Sequence, residues 1–260
     1  MKRQLILVLL ALFALTACRQ RRELKMPTCK PTVLNIPGPQ YDFFYHLRRD
    51  RLQARIGWDT SGRPVSMDCI QDGRPDRLYR FEYDAQDNLV RVAVKDAQDS
   101  LAPSLTFRWP NGAKHSLATE CWVKLGDDPE LNYKFNAANQ LTEIRTAERS
   151  LARMSYDGSE NMIVDSLFDL NGSARSYFQY DAYDGNPNPG LAHRTLQIFL
   201  QLYSRNNPTA MSRNLIAIGI SATGSAKTYD GKAGYTYNDE GLPLTMNGNE
   251  YGVYDCPMKK

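Results

Sequence analysis

Over residues 50 to 185 apolar and polar positions alternate with a period of two, and Asp, Asn or Gly cuts the alternation at regular intervals. One short signature recurs: an apolar residue, any residue, an aromatic, then a turn residue. It reads Ile56-Gly57-Trp58-Asp59, Phe81-Glu82-Tyr83-Asp84 and Phe107-Arg108-Trp109-Pro110-Asn111-Gly112. It continues as Tyr133-Lys134-Phe135-Asn136, Met154-Ser155-Tyr156-Asp157 and Phe178-Gln179-Tyr180-Asp181, with a last copy at Tyr235-Thr236-Tyr237-Asn238. The turn residues at 59, 84, 111, 136, 157 and 181 are spaced by 21 to 27. A second alternating run follows most turns, as in Val90, Val92 and Val94. Period two places side chains on alternate strand faces, and Asp, Asn or Gly between such runs makes β-hairpins. The pattern predicts an all-β fold, one large curved antiparallel meander of about 12 strands, open or barrel-like and soluble. Between the aromatics lie Glu82, Arg108, Lys134, Ser155, Gln179 and Thr236. Such a face cannot meet hydrocarbon, which argues against a membrane-embedded barrel.

The alternation breaks once. Asn188-Pro189 suits an N-cap and first helical position. Ala192, Thr195, Leu196, Phe199, Leu200 and Tyr203 then recur at helical spacing. One packed helix is expected over residues 191–203, filling the concave side of the sheet, with Asn206-Asn207-Pro208 ending it. A strand pair around residues 213–221 is expected to lead into the last hairpin.

The N-terminus has a different pattern. Lys2 and Arg3 precede an apolar run of 11 residues, Leu5 to Leu15. That length suits a secretory leader, whereas a spanning helix needs about 20. Leu15-Thr16-Ala17-Cys18 resembles the bacterial lipobox. The resemblance implies that residues 1–17 are a lipoprotein signal peptide and that Cys18 is the lipid attachment site. The expected division is residues 1–17 leader, 18–40 lipid-anchored tether, 41–256 β-meander domain and 257–260 tail. Acyl chains at about 0.8 kcal/mol per buried CH₂ hold a domain on a bilayer. The basic cluster Arg19, Arg21, Arg22 and Lys25 is placed to meet anionic headgroups. Position 19 is Arg, where Asp would mark inner-membrane retention, and no acidic surface-export stretch follows Cys18. The expected location is the outer membrane, on its periplasmic face.

The repeat resembles the YD hairpin of bacterial surface proteins. A lipobox, a run of such hairpins, then Asp184-Gly185-Asn186-Pro187-Asn188-Pro189, a helical stretch and Asn206-Asn207-Pro208 extend the likeness. Together they resemble a family of lipoproteins from gram-negative gut and oral anaerobes, a domain of unknown function with a porin-like fold. The resemblance implies a large curved antiparallel sheet and no particular reaction.

Composition narrows the chemistry. The 260 residues carry a formal charge of +3 with both signs interspersed, which gives no electrostatic case for nucleic-acid binding. Cys29, Cys69, Cys121 and Cys256 remain after lipidation, and an oxidising compartment permits three connectivities. Cys69 and Cys121 share parity with apolar strand positions and read as buried thiols; Cys29 and Cys256 flank the domain, where a bridge between them is one option. His46, His115 and His193 lack metal-ligand spacing, so no metal and no cofactor is expected. No nucleophile elbow appears, and Lys227 falls too far from Gly224 for a phosphate loop. Asp127, Asp128, Asp165, Asp169, Asp181 and Asp184 read as turn acids rather than a catalytic pair. Asp99-Ser100-Leu101 and Asp165-Ser166-Leu167 resemble an O-glycosylation acceptor, at Ser100 and Ser166. The expected function is therefore non-catalytic: a binding or structural module of the cell envelope. Its partners would be the membrane, through the acyl anchor, and an envelope protein or glycan. The alternative is a carrier or sensor of lipid-like amphiphiles, held between sheet and helix.

Overall fold

A computed structural model of the chain describes residues 28–42, 47–96, 101–110, 119–168, 174–200, 206–216 and 225–257. The described residues form β1 (Lys30–Asp42), β2 (Leu47–Trp58), β3 (Pro64–Gln71), β4 (Arg74–Tyr83), β5 (Leu89–Asp96) and β6 (Leu101–Arg108). Next come β7 (Glu120–Leu125), β8 (Leu131–Phe135), β9 (Leu141–Arg145), β10 (Ser150–Tyr156), β11 (Met162–Phe168) and β12 (Ala174–Pro187). A 3-10 turn (Pro189–Ala192) and helix α1 (Arg194–Leu200) interrupt the strands. The chain then forms β13 (Asn206–Ile216), β14 (Ser225–Lys232), β15 (Tyr235–Tyr237), β16 (Pro243–Met246), β17 (Asn249–Glu250) and β18 (Gly252–Asp255). Strands β1 to β14 pair antiparallel in chain order, and β18 joins the free side of β1 to make a 15-stranded sheet. Strands β15, β16 and β17 form a separate small sheet, and among the described residues no ladder joins β14 to β18. The fold is all-β, an antiparallel meander with one helix and no closed barrel.

The hairpin turns repeat almost atom for atom. At Asp59, Asp84, Asn136, Asp157 and Asn238 the backbone N–H donates to the carbonyl four residues on, at 2.8–3.0 Å. Each side-chain Oδ1 accepts the N–H of that same later residue, again at 2.8–2.9 Å. The residue three past each Asx has positive φ: Gly62, Asp87, Asn139, Glu160 and Gly241. This is a type I turn closed by a left-handed residue, with the Asx side chain replacing missing backbone partners. Each turn brings a register shift at the preceding aromatic, which pairs Trp58 with Pro64, Tyr83 with Leu89, Phe135 with Leu141, Tyr156 with Met162 and Tyr237 with Pro243.

Those bulges explain why the repeat needs an aromatic with a polar tip. A bulge disrupts the ladder locally, and a buried carbonyl there still needs a donor. Tyr83 Oη donates to Pro64 O at 2.8 Å, Trp109 Nε1 to Leu89 O at 2.7 Å and Tyr156 Oη to Leu141 O at 2.6 Å. Tyr183 Oη donates to Met162 O, and Tyr254 Oη to Pro243 O at 3.0 Å. Of the repeat's own aromatics, Tyr83, Trp109 and Tyr156 thus fasten the first carbonyl of the preceding hairpin's second strand, whereas Trp58 Nε1 donates to Pro31 O at 2.7 Å and Tyr237 Oη to Asp184. Phe135 has no polar tip, and the turn that precedes it lies outside the described residues.

The inner face carries the core: Leu52, Ala54, Met67, Tyr79, Val92, Leu105, Cys121, Tyr133, Ile144 and Ala152 are each at most 3% exposed. Phe199 of α1 meets Phe81 at 5.2 Å, Tyr79 at 5.4 Å and Phe107 at 6.4 Å between ring centroids. Ahead of it His193 meets Trp58 on β2, and Arg194 lies over Phe135 on β8. A flat sheet of this size would be about 70 Å wide. The helix is about 10 Å long. It reaches β2 and β8 together only because the sheet curls around it.

Several expectations need correction. The described residues hold 18 strands rather than about 12. Residues 30–40, expected as part of the tether, lie in a strand: β1 occupies Lys30–Asp42 between β2 and β18. Pro31 and Pro37 both stand beside register shifts in β1, where a strand accommodates proline. Asp181 does not turn the chain: β12 runs through it to Pro187. The helix expected over 191–203 is a 3-10 turn from Pro189 followed by α1 from Arg194 to Leu200, and residues 201–203 lie outside the described residues. Residues 206–208 already belong to β13, and the strand pair expected around 213–221 is β13 with β14, which begins at Ser225.

Candidate functional site

The outer face of the sheet is a lattice of cross-strand ion pairs. Arg80 meets Asp68 at 3.4 Å, Arg91 meets Glu82 at 2.9 Å and Arg108 meets Glu130 at 2.8 Å. Lys134 and Arg153 flank Glu143 at 3.3 and 3.6 Å. Burial alone would raise the Glu143 carboxyl, but the Ser150 hydroxyl and Lys134 outweigh it and hold it below its usual range. Exposed pairs of this kind contribute little stability, though they keep the face wettable and self-neutralised.

One row differs. The register aligns Arg108, Trp122, Asn132, Arg145 and Ser150 across five consecutive strands. Trp122 is an aromatic on the polar face, flanked by buried Cys121 and Val123. The Arg108 guanidinium covers one side of its indole, 4.4 Å from the ring centroid. Asn132 Nδ2 donates to Glu120 Oε2 at 3.2 Å, and Arg145 Nε donates to Thr146 O at 3.1 Å. The β9–β10 turn rises beside this row and makes a groove of about 640 Å³, lined by Trp122, Asn132, Arg145, Arg149 and flanking glutamates. Arg149 Nε is buried there and meets no acceptor. Sequence reasoning passed over Trp122, although its off-phase parity, an aromatic between two core positions, marks it.

The inner face holds three polar groups of interest. Arg194 is 4% exposed, with its guanidinium 3.8 Å from the Phe135 centroid and 5.4 Å from that of Trp109. Its Nη2 donates to Asn139 Oδ1, and burial pulls its pKa down to about 10. His193 Nδ1 accepts from Thr195 N at 3.2 Å, so it caps the helix entry. Asp165 on β11 faces inward opposite Met154. Its Oδ1 is out of water without a donor although the residue is half-buried overall, and burial pushes its pKa up to about 7. Such a shift is a common mark of a functional site. Among the described residues, however, no group of three His, Cys, Asp or Glu could hold a metal.

The structure brings Cys29 and Cys256 together as a disulfide. Cys69 and Cys121 are buried thiols outside any disulfide, and burial pushes the Cys121 thiol up. Ser166 sits mid-strand in β11, half-buried on the outer side opposite Arg153. Cys18 and Ser100 lie outside the described residues, as do His46, His115 and Asp169. Asp127 and Asp128 are exposed at the β7–β8 turn. Asp184 is a structural hub: Asn186 N and Asn207 N donate to it at 2.9 and 3.2 Å, and Tyr237 Oη donates to it as well. Among the described residues no helix is long and apolar enough to cross a membrane.

No protein-family model and no curated protein matches this chain. Among solved structures it is similar to a porin-like protein from Bacteroides uniformis, at 12% identity over 89% of this chain and 97% of that one, with a TM-score of 0.44. It is also similar to TcdB2-TccC3 without its hypervariable C-terminal region, at 11% identity over 81% of this chain, with a TM-score of 0.26. This chain spans about a tenth of that structure's length, 10%.

Proposed function

We propose that the protein is a non-catalytic lipoprotein, anchored through acylated Cys18 to the periplasmic face of the outer membrane, where it serves as a binding or structural module of the envelope. The observation that carries the reading is Leu15-Thr16-Ala17-Cys18 ahead of a sheet whose outward face is built from ion pairs. An acyl anchor needs a domain that stays in water, and that face is one. The Cys29–Cys256 bridge ties the start of β1 to the end of β18 eleven residues after the anchor, so the domain would be held by one fixed edge. Leu196 and Leu200 at 0% exposure, with Phe199 against three aromatic rings, fill the space beneath the helix. That filling weighs against the carrier or sensor of lipid-like amphiphiles. Fractionation of cells expressing the wild type and Cys18→Ala tests the proposal. The wild type should stay with the outer membrane until detergent is added, and Cys18→Ala should not. A variant that remains membrane-bound without Cys18 would overturn it.

A further inference from the structure

We propose that the outer-face groove over β7, β8 and β9 binds a neutral saccharide. This rests on the reading of the protein as an envelope binding module and names its ligand class. A sugar ring presents apolar C–H faces and a rim of hydroxyls, each able to donate and accept. Its site therefore needs a flat apolar surface, mixed donors and acceptors, and little net charge. Trp122 supplies the surface: Arg108 covers one side of the indole, and the register places Asn132 on the other. The groove's charged lining balances, with Glu120, Glu130 and Glu148 against Lys134, Arg145 and Arg149. That balance disfavours a polyanion or a polycation. Arg145 is held by the carbonyls of its own turn, and Arg149 lines the groove beside it. The volume of about 640 Å³ falls within the range of small-ligand sites.

The test titrates maltotriose, cellotriose, mannotriose and xylotriose into the mature protein in detergent, by calorimetry. At least one should bind saturably with a Kd between about 10 µM and 1 mM. Trp122→Ala and Arg149→Gln should each weaken that binding by about tenfold or more, while Trp122→Phe retains most of it. Circular dichroism identifies a variant that has failed to fold, and Arg149→Gln, which removes no core packing, then carries the test. No saturable binding up to about 10 mM, or binding unchanged in Arg149→Gln, overturns the proposal. A Cys18-dependent anchor without saccharide binding defeats this inference alone. Saccharide binding without the anchor defeats the envelope reading alone.

Discussion

Asp165 shows how much one side chain can govern. Burial, with Oδ1 lacking a donor, pushes its carboxyl up to about 7 from the ordinary 3.8. Below about pH 4 the group is protonated both folded and unfolded and costs nothing. Between about pH 4 and pH 7 only the unfolded chain ionises it, so stability falls across that window and levels off above it. Asp165→Asn keeps the shape without the charge. It should equal the wild type at pH 4 and exceed it at pH 8 by about 2–4 kcal/mol in urea melts; equal stabilities at pH 8 would show that the carboxyl reaches water. The sequence presents Asp165 as one more acid near a turn. Its inward direction follows from the bulge at Ser155/Tyr156, which shifts the parity of β11. Period-two reasoning has no access to such a slip. Glu160 is a second residue of this kind. It occupies a left-handed turn position, φ 68°, that Gly fills in two sister turns. Glu160→Gly should raise stability by about 0.5–1 kcal/mol, readable as a higher melting temperature.

At the scale of elements, the hairpin repeat was legible because turn chemistry is local. Asx, the left-handed residue and the aromatic lie within five positions, and the five turns share one hydrogen-bond pattern. The link between hairpins was not legible, since it pairs an aromatic with a carbonyl 15 to 21 residues away. Tyr83→Phe breaks one such link, to Pro64 O, together with the hydrogen bond to Thr195 Oγ1 at 3.1 Å. It should cost about 1–3 kcal/mol, the penalty for a buried carbonyl left without its donor, and denaturant unfolding measures it. The helix was legible from its spacing, while its role depends on curvature. Phe199→Ala removes the ring that β4 and β6 share and should cost about 3–5 kcal/mol. A loss under about 1 kcal/mol would mean that the helix merely rests on the sheet.

At the scale of the whole molecule, a sheet that does not close has two edges, and the Cys29–Cys256 bridge secures one of them across 227 residues of chain. Cys29→Ser with Cys256→Ser should lower stability by about 2–5 kcal/mol, and reduction of the wild type should reproduce the loss. Sequence left three pairings open, because pairing depends on which strands become neighbours. The meeting of β18 with β1 is a contact between the two ends of the domain that no local pattern encodes. The groove around Trp122 has the same origin: its residues come from β7, β8, β9 and a turn, and only the register aligns them. The claim on which the functional account depends is the anchor. The most direct measurement is the mass of the N-terminal peptide of the protein extracted from its native membrane. The account predicts a peptide beginning at Cys18 that carries the added mass of acyl chains. A chain that begins elsewhere, with Cys18 absent or unmodified, would contradict it.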